Sequence, residues 1–271
     1  MTPEPVPTDV PLLTAEAWEQ AGTPGYGGVL IISDHASAIV PDDVELGCTF
    51  DPRLDHEGSD IGVRDVNLHL LHRLAQRESG GTGGTWAIHG AVSRLVIDCN
   101  RPLHSPELIP ARSDDLLVPG NAALDADGRQ ARITRFYHPY HAYIAASIVE
   151  WRPAMLLSVH SFTRSLARQP EVIRPWQAGV LYNQDDRLAR IALRLLADEG
   201  LRVGDNEPYS GRVLNHSMDT HAEANAIPYV GIEIRQFEIM EAEGIHYWAS
   251  LLERLIDQCR NHLAQMASAG E

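Results

Sequence analysis

Two histidines stand at the ends of apolar, β-rich runs. One run is Val29-Leu30-Ile31-Ile32-Ser33-Asp34-His35, and the other is Met155-Leu156-Leu157-Ser158-Val159-His160-Ser161. Singly, each fits a hydrogen-bonded structural histidine; at equivalent ends of neighbouring strands, the pair suits imidazole ligation of zinc. A third ligand is sought in Asp55-His56-Glu57-Gly58-Ser59-Asp60, ahead of an amphipathic stretch. Asp60 is the preferred ligand, with His56 and Glu57 as close rivals, and Asp60 also reads as a helix N-cap. Neither HExxH nor a paired CxxC occurs, so a metal site has to be assembled from distant segments.

In Gly231-Ile232-Glu233-Ile234-Arg235, period-two geometry puts Glu233 and Arg235 on one face of a strand. Opposite charges in a core-type strand need partners, because burying an isolated charge is costly. They read either as a self-satisfied pair near a sheet edge, or as a general base, Glu233, with Arg235 binding an anion or clamping the base. In Arg94-Leu95-Val96-Ile97-Asp98-Cys99-Asn100-Arg101-Pro102, the proline biases Arg101 toward extended backbone. Asn100 and Arg101 then offer amide and guanidinium donors to a carboxylate. A lone arginine is ordinarily a surface ion pair, and Asp98 reads as an orienting partner for an arginine.

These residues need a scaffold. Residues 1–27 carry Pro3, Pro5, Pro7, Pro11 and Pro24 with little apolar periodicity, and read as a mostly irregular N-terminal segment. Beyond it, Gly28–Ser33, Val92–Asp98, Met155–His160, Gly179–Tyr182 and Tyr229–Ile234 read as short strands buried on both faces. Val63, Val66, Leu70 and Leu74 share a helical face, and 129–150, 185–199 and 245–266 are similarly patterned. The alternation predicts a single α/β catalytic domain over 28–266, with a mostly parallel mixed sheet flanked by helices. In such sheets function gathers at the carboxyl ends of the strands. The tract Ser79–Thr85 (SGGTGGT) is Gly-rich but follows a helix, so it reads as a flexible connector rather than a phosphate loop.

Composition narrows the chemistry further. The chain has 271 residues and a formal charge of −15, and all of its basic residues are arginine. Without lysine there is no Schiff base, no pyridoxal phosphate attachment and no P-loop lysine. The acidic balance argues against nucleic acid as a partner, since duplex binding neutralises several phosphates. Cys48, Cys99 and Cys259 are too few and too scattered for a disulfide framework or a cysteine zinc site, which fits a reducing compartment. The first basic residue is Arg53 and no apolar run approaches ~20 residues, so the chain reads as cytoplasmic, with no membrane partner.

Taken together, the segments resemble the N-formylglutamate amidohydrolase family from about residue 26 to 256. The resemblance rests on SDHAS at 33–37, HEGSDIG at 56–62, SRLVIDCNRP at 93–102 and PYH at 139–141. SVHSF at 158–162, RPWQAGVLYN at 174–183, GDNEPYSG at 204–211 and GIEIRQ at 231–236 continue it. It implies a phosphorylase/hydrolase-like fold similar to zinc carboxypeptidases and aspartoacylase-type deacylases. It further implies His35, Asp60 and His160 as ligands of one Zn2+, Glu233 as the base, and Asn100 with Arg101 as readers of a substrate carboxylate. Carboxypeptidases use a tight His-x-x-Glu, whereas Ala38 stands at the third position after His35, so the acidic ligand comes from a separate segment. Glu57-Gly58-Ser59 also departs from the more apolar or aromatic residues expected there.

The implied activity is hydrolysis of the N-acyl (formyl) amide of an acylated amino acid such as N-formylglutamate. Zinc lowers the pKa of bound water to ~7 and polarises the carbonyl; Glu233 takes the water's proton and passes it to the leaving nitrogen. Arg94 or Arg235 steadies the oxyanion. His141 either assists or only hydrogen-bonds within its helix, and Asn206, Glu207 and Tyr209 either shape a substrate loop or belong to a structural turn at Pro208. A glutamate side chain would need a second cation, for which Arg235, Arg174 and Arg212 are candidates. Rival readings are a zinc carboxypeptidase or deacylase acting on another N-acyl amino acid or peptide, a nucleophilic hydrolase using Ser161 or Cys99, and a non-catalytic acyl-amino-acid-binding protein. No GxSxG elbow accompanies Ser161.

Overall fold

The computed structural model describes residues 6–51, 55–77 and 83–269. The chain opens with a hairpin, β1 (Leu12–Thr14) and β2 (Trp18–Gly22), followed by β3 (Val29–Ser33), α1 (Val63–Arg77) and β4 (Thr85–Gly90). A small separate hairpin comes next, β5 (Arg112–Ser113) and β6 (Leu116–Leu117), then α2 (Pro119–Ala122) and α3 (Ala126–Arg132). One wider π-helical stretch, Ile133–Tyr137, joins α3 to α4 (His138–Trp151). The remainder is β7 (Met155–Phe162), β8 (Ala178–Leu181), α5 (Arg187–Asp198), β9 (Val203–Asp205), α6 (His216–His221), β10 (Tyr229–Arg235) and α7 (Ala242–Ala269).

Eight strands form one sheet in the order β1-β2-β4-β3-β7-β10-β8-β9. Its centre, β4-β3-β7-β10, is parallel. Antiparallel pairing begins at β2 on one side and at β8 on the other. This is the mostly parallel mixed sheet that the alternating sequence pattern predicts.

Strand alternation splits the apolar side chains between two cores. Val29, Ile31, Leu157, Val159, Ile232 and Ile234 pack with α1, α5 and α7. Leu30, Ile32, Trp86, Ile88, Leu156 and Tyr229 pack with Phe136, Tyr140 and Ile144 of the long helical run. Because both faces are covered, the central strands read as continuous apolar runs rather than as alternating ones. The spacing of Val63, Val66, Leu70 and Leu74 gives α1 the face that it buries.

One local expectation is corrected. Val92–Asp98 is not a strand; the strand is β4, just upstream. Ser93 turns the chain instead: its carbonyl accepts from Val96 N–H at 2.9 Å, and its hydroxyl donates to Gly58 O at 2.8 Å. Val92, Val96 and Ile97 are nevertheless buried. A short apolar run reports burial, not extension, and here a turn satisfies it. Among its described residues the N-terminal segment is irregular apart from β1 and β2, whose pairing extends the sheet beyond β4. Most of the Gly-rich connector lies outside the described residues, which resume at Gly83. Among the described residues, no helix is long and apolar enough to cross a membrane.

Two glycines let the chain close around the carboxyl edge of the sheet. Gly62 has a φ of +82°, and a Cβ there would meet Ile239 O at 2.3 Å. It provides the left-handed turn that separates Asp60 from α1. Gly90 ends β4 against Asp34, whose carbonyl oxygen would lie 2.2 Å from a Cβ.

Candidate active site

Parallel register builds the site. Glu233 of β10 is the direct neighbour of His160 of β7, and both share the face carrying Leu156 and Tyr229. His35 follows β3, which pairs β7 on its other side. Asp60 is brought in by the segment before α1, where its N–H donates to His35 O at 2.8 Å. The N-cap alternative for Asp60 is not what its side chain does. Oδ1 accepts from Arg94, and Oδ2 lies 2.7 Å from His160 Nδ1 and 3.6 Å from His35 Nδ1. One donor atom from each of His35, Asp60 and His160 lies within 4.8 Å of the others, and all three residues are buried.

The opposite ring nitrogens face carboxylates. His35 Nε2 donates to Asp98 Oδ1 at 2.7 Å, so Nδ1, facing Asp60, is the nitrogen turned toward the cradle. His160 Nε2 faces Asp34 Oδ2 at 3.4 Å. Asp34 is fixed in turn by Tyr140, whose hydroxyl donates at 3.0 Å, and by Ser217 at 2.5 Å. Carboxylates behind the ring nitrogens orient histidine ligands and raise their basicity. Two imidazole nitrogens, one carboxylate oxygen and this supporting layer are a donor set that fits zinc. An orphaned polar atom, Glu233 Oε2, lies buried beside it.

Electrostatics set Glu233 apart from the other acids. Burial opposes charge on Asp60, yet Arg94 and the two histidines hold it well below the usual carboxylate range. Asp34 and Asp98 are likewise lowered against burial, by His160 and by His35 respectively. The two histidines are raised in spite of burial, His160 by Asp34 and Asp60, and His35 by Asp98 and Asp60. For Glu233 burial outweighs the lowering by His160, His35 and Arg94 and, with Asp60 adding, pushes it up to about 7. A carboxyl poised there can both take and return a proton at neutral pH.

The cleft above these groups has a volume of about 120 Å³ and is walled by Arg94, Asn100, Arg101, Ser161, Tyr209 and Leu214. Arg94 is half-buried, and its Nε, out of contact with solvent, makes no hydrogen bond. Arg101 donates to Glu107 at 3.0 Å and to Asn100 O at 3.1 Å. Asn100 Oδ1 accepts from Ser217 N–H at 3.0 Å. Asp98 lies 3.8 Å from Arg101, as an orienting partner should, but its closer contact is with His35.

Other residues singled out in the sequence stand outside the lining. Arg235 pairs with Glu238 rather than with Glu233. His141 lies between His221, at 2.8 Å, and Cys99 O, at 2.9 Å. Asn206 Oδ1 accepts from the N–H groups of Tyr182 and Gly211, a loop-holding role. Arg174 sits 4.9 Å over the Tyr209 ring and donates to Thr163 O. Reasoning from sequence missed Asp34, Tyr140 and Ser217. Asp34 carried one usable signal: an acid adjoining His35 at a strand end is placed to meet the neighbouring strand's histidine.

The class that the architecture defines is an α/β protein with a polar, histidine- and carboxylate-lined cleft at the carboxyl edge of a mostly parallel sheet. Within that class the chain belongs to the N-formylglutamate amidohydrolase family, whose sequence model matches residues 27–240. Among solved structures it is similar to the gene product Atu2144 from Agrobacterium tumefaciens, with a TM-score of 0.79, 29% identity, and coverage of 89% of this chain and 93% of that one. It is also similar in fold to N-formylglutamate amidohydrolase from Ralstonia eutropha JMP134, with a TM-score of 0.69, 19% identity, and coverage of 93% and 99%. A comparison with curated proteins finds no significant match.

Proposed function

We propose that the chain is a metal-dependent amidohydrolase that cleaves the N-acyl amide of a small acylated amino acid such as N-formylglutamate. The observation that carries this reading is Glu233, raised to about 7, set beside the His35–Asp60–His160 cradle in one small cleft. His35 and His160, through Nδ1, and Asp60 would hold the metal. A zinc ion bound there supplies the Lewis acidity that activates water and polarises an amide carbonyl.

The chain's own groups do the rest. Glu233 accepts a proton on its free oxygen and returns it to the departing nitrogen, completing bond cleavage without a covalent intermediate. Arg94, fixed by Asp60, presents its guanidinium to negative charge developing on the former carbonyl oxygen. Asn100 and Arg101 hold the substrate carboxylate, Arg101 through its planar fork. The cleft's small volume favours a compact acyl amino acid over a peptide. Cys99 does not suit a nucleophile: burial raises its thiol well above the usual range, so it stays protonated.

The test is a panel of N-formyl and N-acetyl amino acids, each with a free carboxylate and as its amide, with acid and amine release measured. Free N-formyl substrates should be cleaved fastest and the amides poorly. Preferred acetate release would support the wider deacylase reading, and binding without turnover in zinc-loaded protein would mark a binding protein. Equal rates for carboxylate and amide would remove the Asn100–Arg101 assignment.

A further inference from the structure

A second cluster of metal-type donors lies outside the cleft. His56 Nδ1 is 3.5 Å from Glu57 Oε2, and His56 Nε2 is 3.4 Å from Asp114 Oδ2. One donor atom from each of the three lies within 4.8 Å of the others. Both carboxylates are buried: Glu57 is 8% exposed, and the Asp114 side chain 2%. Asp114 occupies the turn between β5 and β6, with φ at +49°. Its carboxylate also accepts from the N–H groups of Ala167, at 2.6 Å, and Arg168, at 3.2 Å, and the Arg168 side chain stands 3.8 Å away. Glu57 has none of this support. Its carboxylate, nine-tenths buried, faces only His56 among the described residues.

Two buried carboxylates meet a single imidazole here, and the Arg168 side chain, 3.8 Å from Asp114, is itself mostly exposed. A divalent cation balances both acids at once. His56, with a side chain 27% exposed, leaves the open side on which water completes the coordination shell. We propose that His56, Glu57 and Asp114 form a second divalent-cation site, of the zinc type, separate from the cradle at His35, Asp60 and His160. The ion takes one nitrogen of His56 and an oxygen from each acid.

Its place in the chain gives it a consequence. The three donors and the Asp114 acceptor bonds join the 55–60 segment, which carries Asp60, to the β5–β6 turn and to the loop at 167–168. That loop continues to Arg174, which lies over Tyr209 on the cleft wall. The second ion therefore ties together the segments that rim the cleft, while the first sits inside it.

The experiment counts metal in the full-length protein. Protein stripped with chelator is saturated with Zn2+, desalted and analysed for zinc, with calorimetric titration in parallel. Two equivalents are expected in the parent, one in Glu57→Gln, one in His160→Ala and none in the double variant. Glu57→Gln is preferred over an Asp114 change because Asp114 also holds backbone, and His56→Ala should repeat its result. Two equivalents surviving in Glu57→Gln, or a single parental equivalent that Glu57→Gln retains, would overturn the second site. A single equivalent lost in Glu57→Gln but kept in His160→Ala would support it while removing the first site instead.

Discussion

Two pairs of histidines withdrawn from solvent are tuned in opposite directions. His35 and His160 are each faced by carboxylates on both ring nitrogens, and both are raised. His141 and His221 face each other at 2.8 Å, and burial lowers both to about 4. His35, His160 and His221 are buried and His141 half-buried. The sign of the neighbours decides whether a buried histidine becomes a basic ligand or a neutral packing group. The first pair can exchange protons for a metal ion, whereas burial favours the neutral form of the second, in which both nitrogens of His141 and Nε2 of His221 are committed within the protein.

The largest effect should come from the one acid that departs from its neighbours. Glu233→Gln should keep fold and zinc content but lose about 10²–10⁴-fold in kcat, because an amide cannot relay a proton. An almost unchanged turnover number would make Glu233 a structural group. In the parent enzyme, kcat/KM should fall on the acid side as Glu233 takes up its proton. A cation in the cradle favours the carboxylate, which moves that midpoint below the metal-free value of about 7.

The neutral pair sharpens the contrast through stability. An unfolded histidine protonates near pH 6.5, whereas these two resist protonation until about 4. Between those values the unfolded chain binds more protons, so stability declines as pH falls, by on the order of 3 kcal/mol for each residue. Denaturant unfolding of His141→Gln across that window should show a flatter slope than the parent; an identical slope would contradict the assignment. The raised pair has the opposite sign in metal-free protein. Its contribution is fully present below pH 6.5 and is lost as pH rises through the folded values.

Smaller effects test the carboxylates behind His35 and His160. Asp98→Asn should weaken zinc binding by about 10–100-fold, measured by competition with a chromophoric chelator. The same change should leave the His141–His221 pair and its acid slope unaltered. Smallest is Arg101→Lys, which keeps charge but loses the planar fork, and should raise KM about tenfold with metal content unchanged. An unchanged KM would move carboxylate recognition elsewhere in the cleft.

Much of this arrangement is legible in the sequence, and the remainder fails for physical reasons. His35, His160 and Glu233 end runs whose apolar continuity marks them as central strands, and in parallel strands such ends converge. Asp34 is hidden because its contact crosses to another strand 126 residues along the chain, and no local period encodes that contact. Val92–Asp98 misleads because a turn at Ser93 buries its apolar side chains as fully as a strand would. The proline-rich start masks β1 and β2, since edge strands need little apolar patterning when one face stays open. Arg235 shares a face with Glu233, as period-two geometry requires, but Glu238 three residues on captures it.

The central claim is that His35, Asp60 and His160 hold the metal on which hydrolysis depends. Elemental zinc analysis of His160→Ala beside the parent, after identical stripping and reloading, tests it most directly. The account predicts loss of one equivalent, together with loss of amide hydrolysis, in a variant that still folds. Unchanged zinc content in the variant, or full parental activity after chelation, would contradict it.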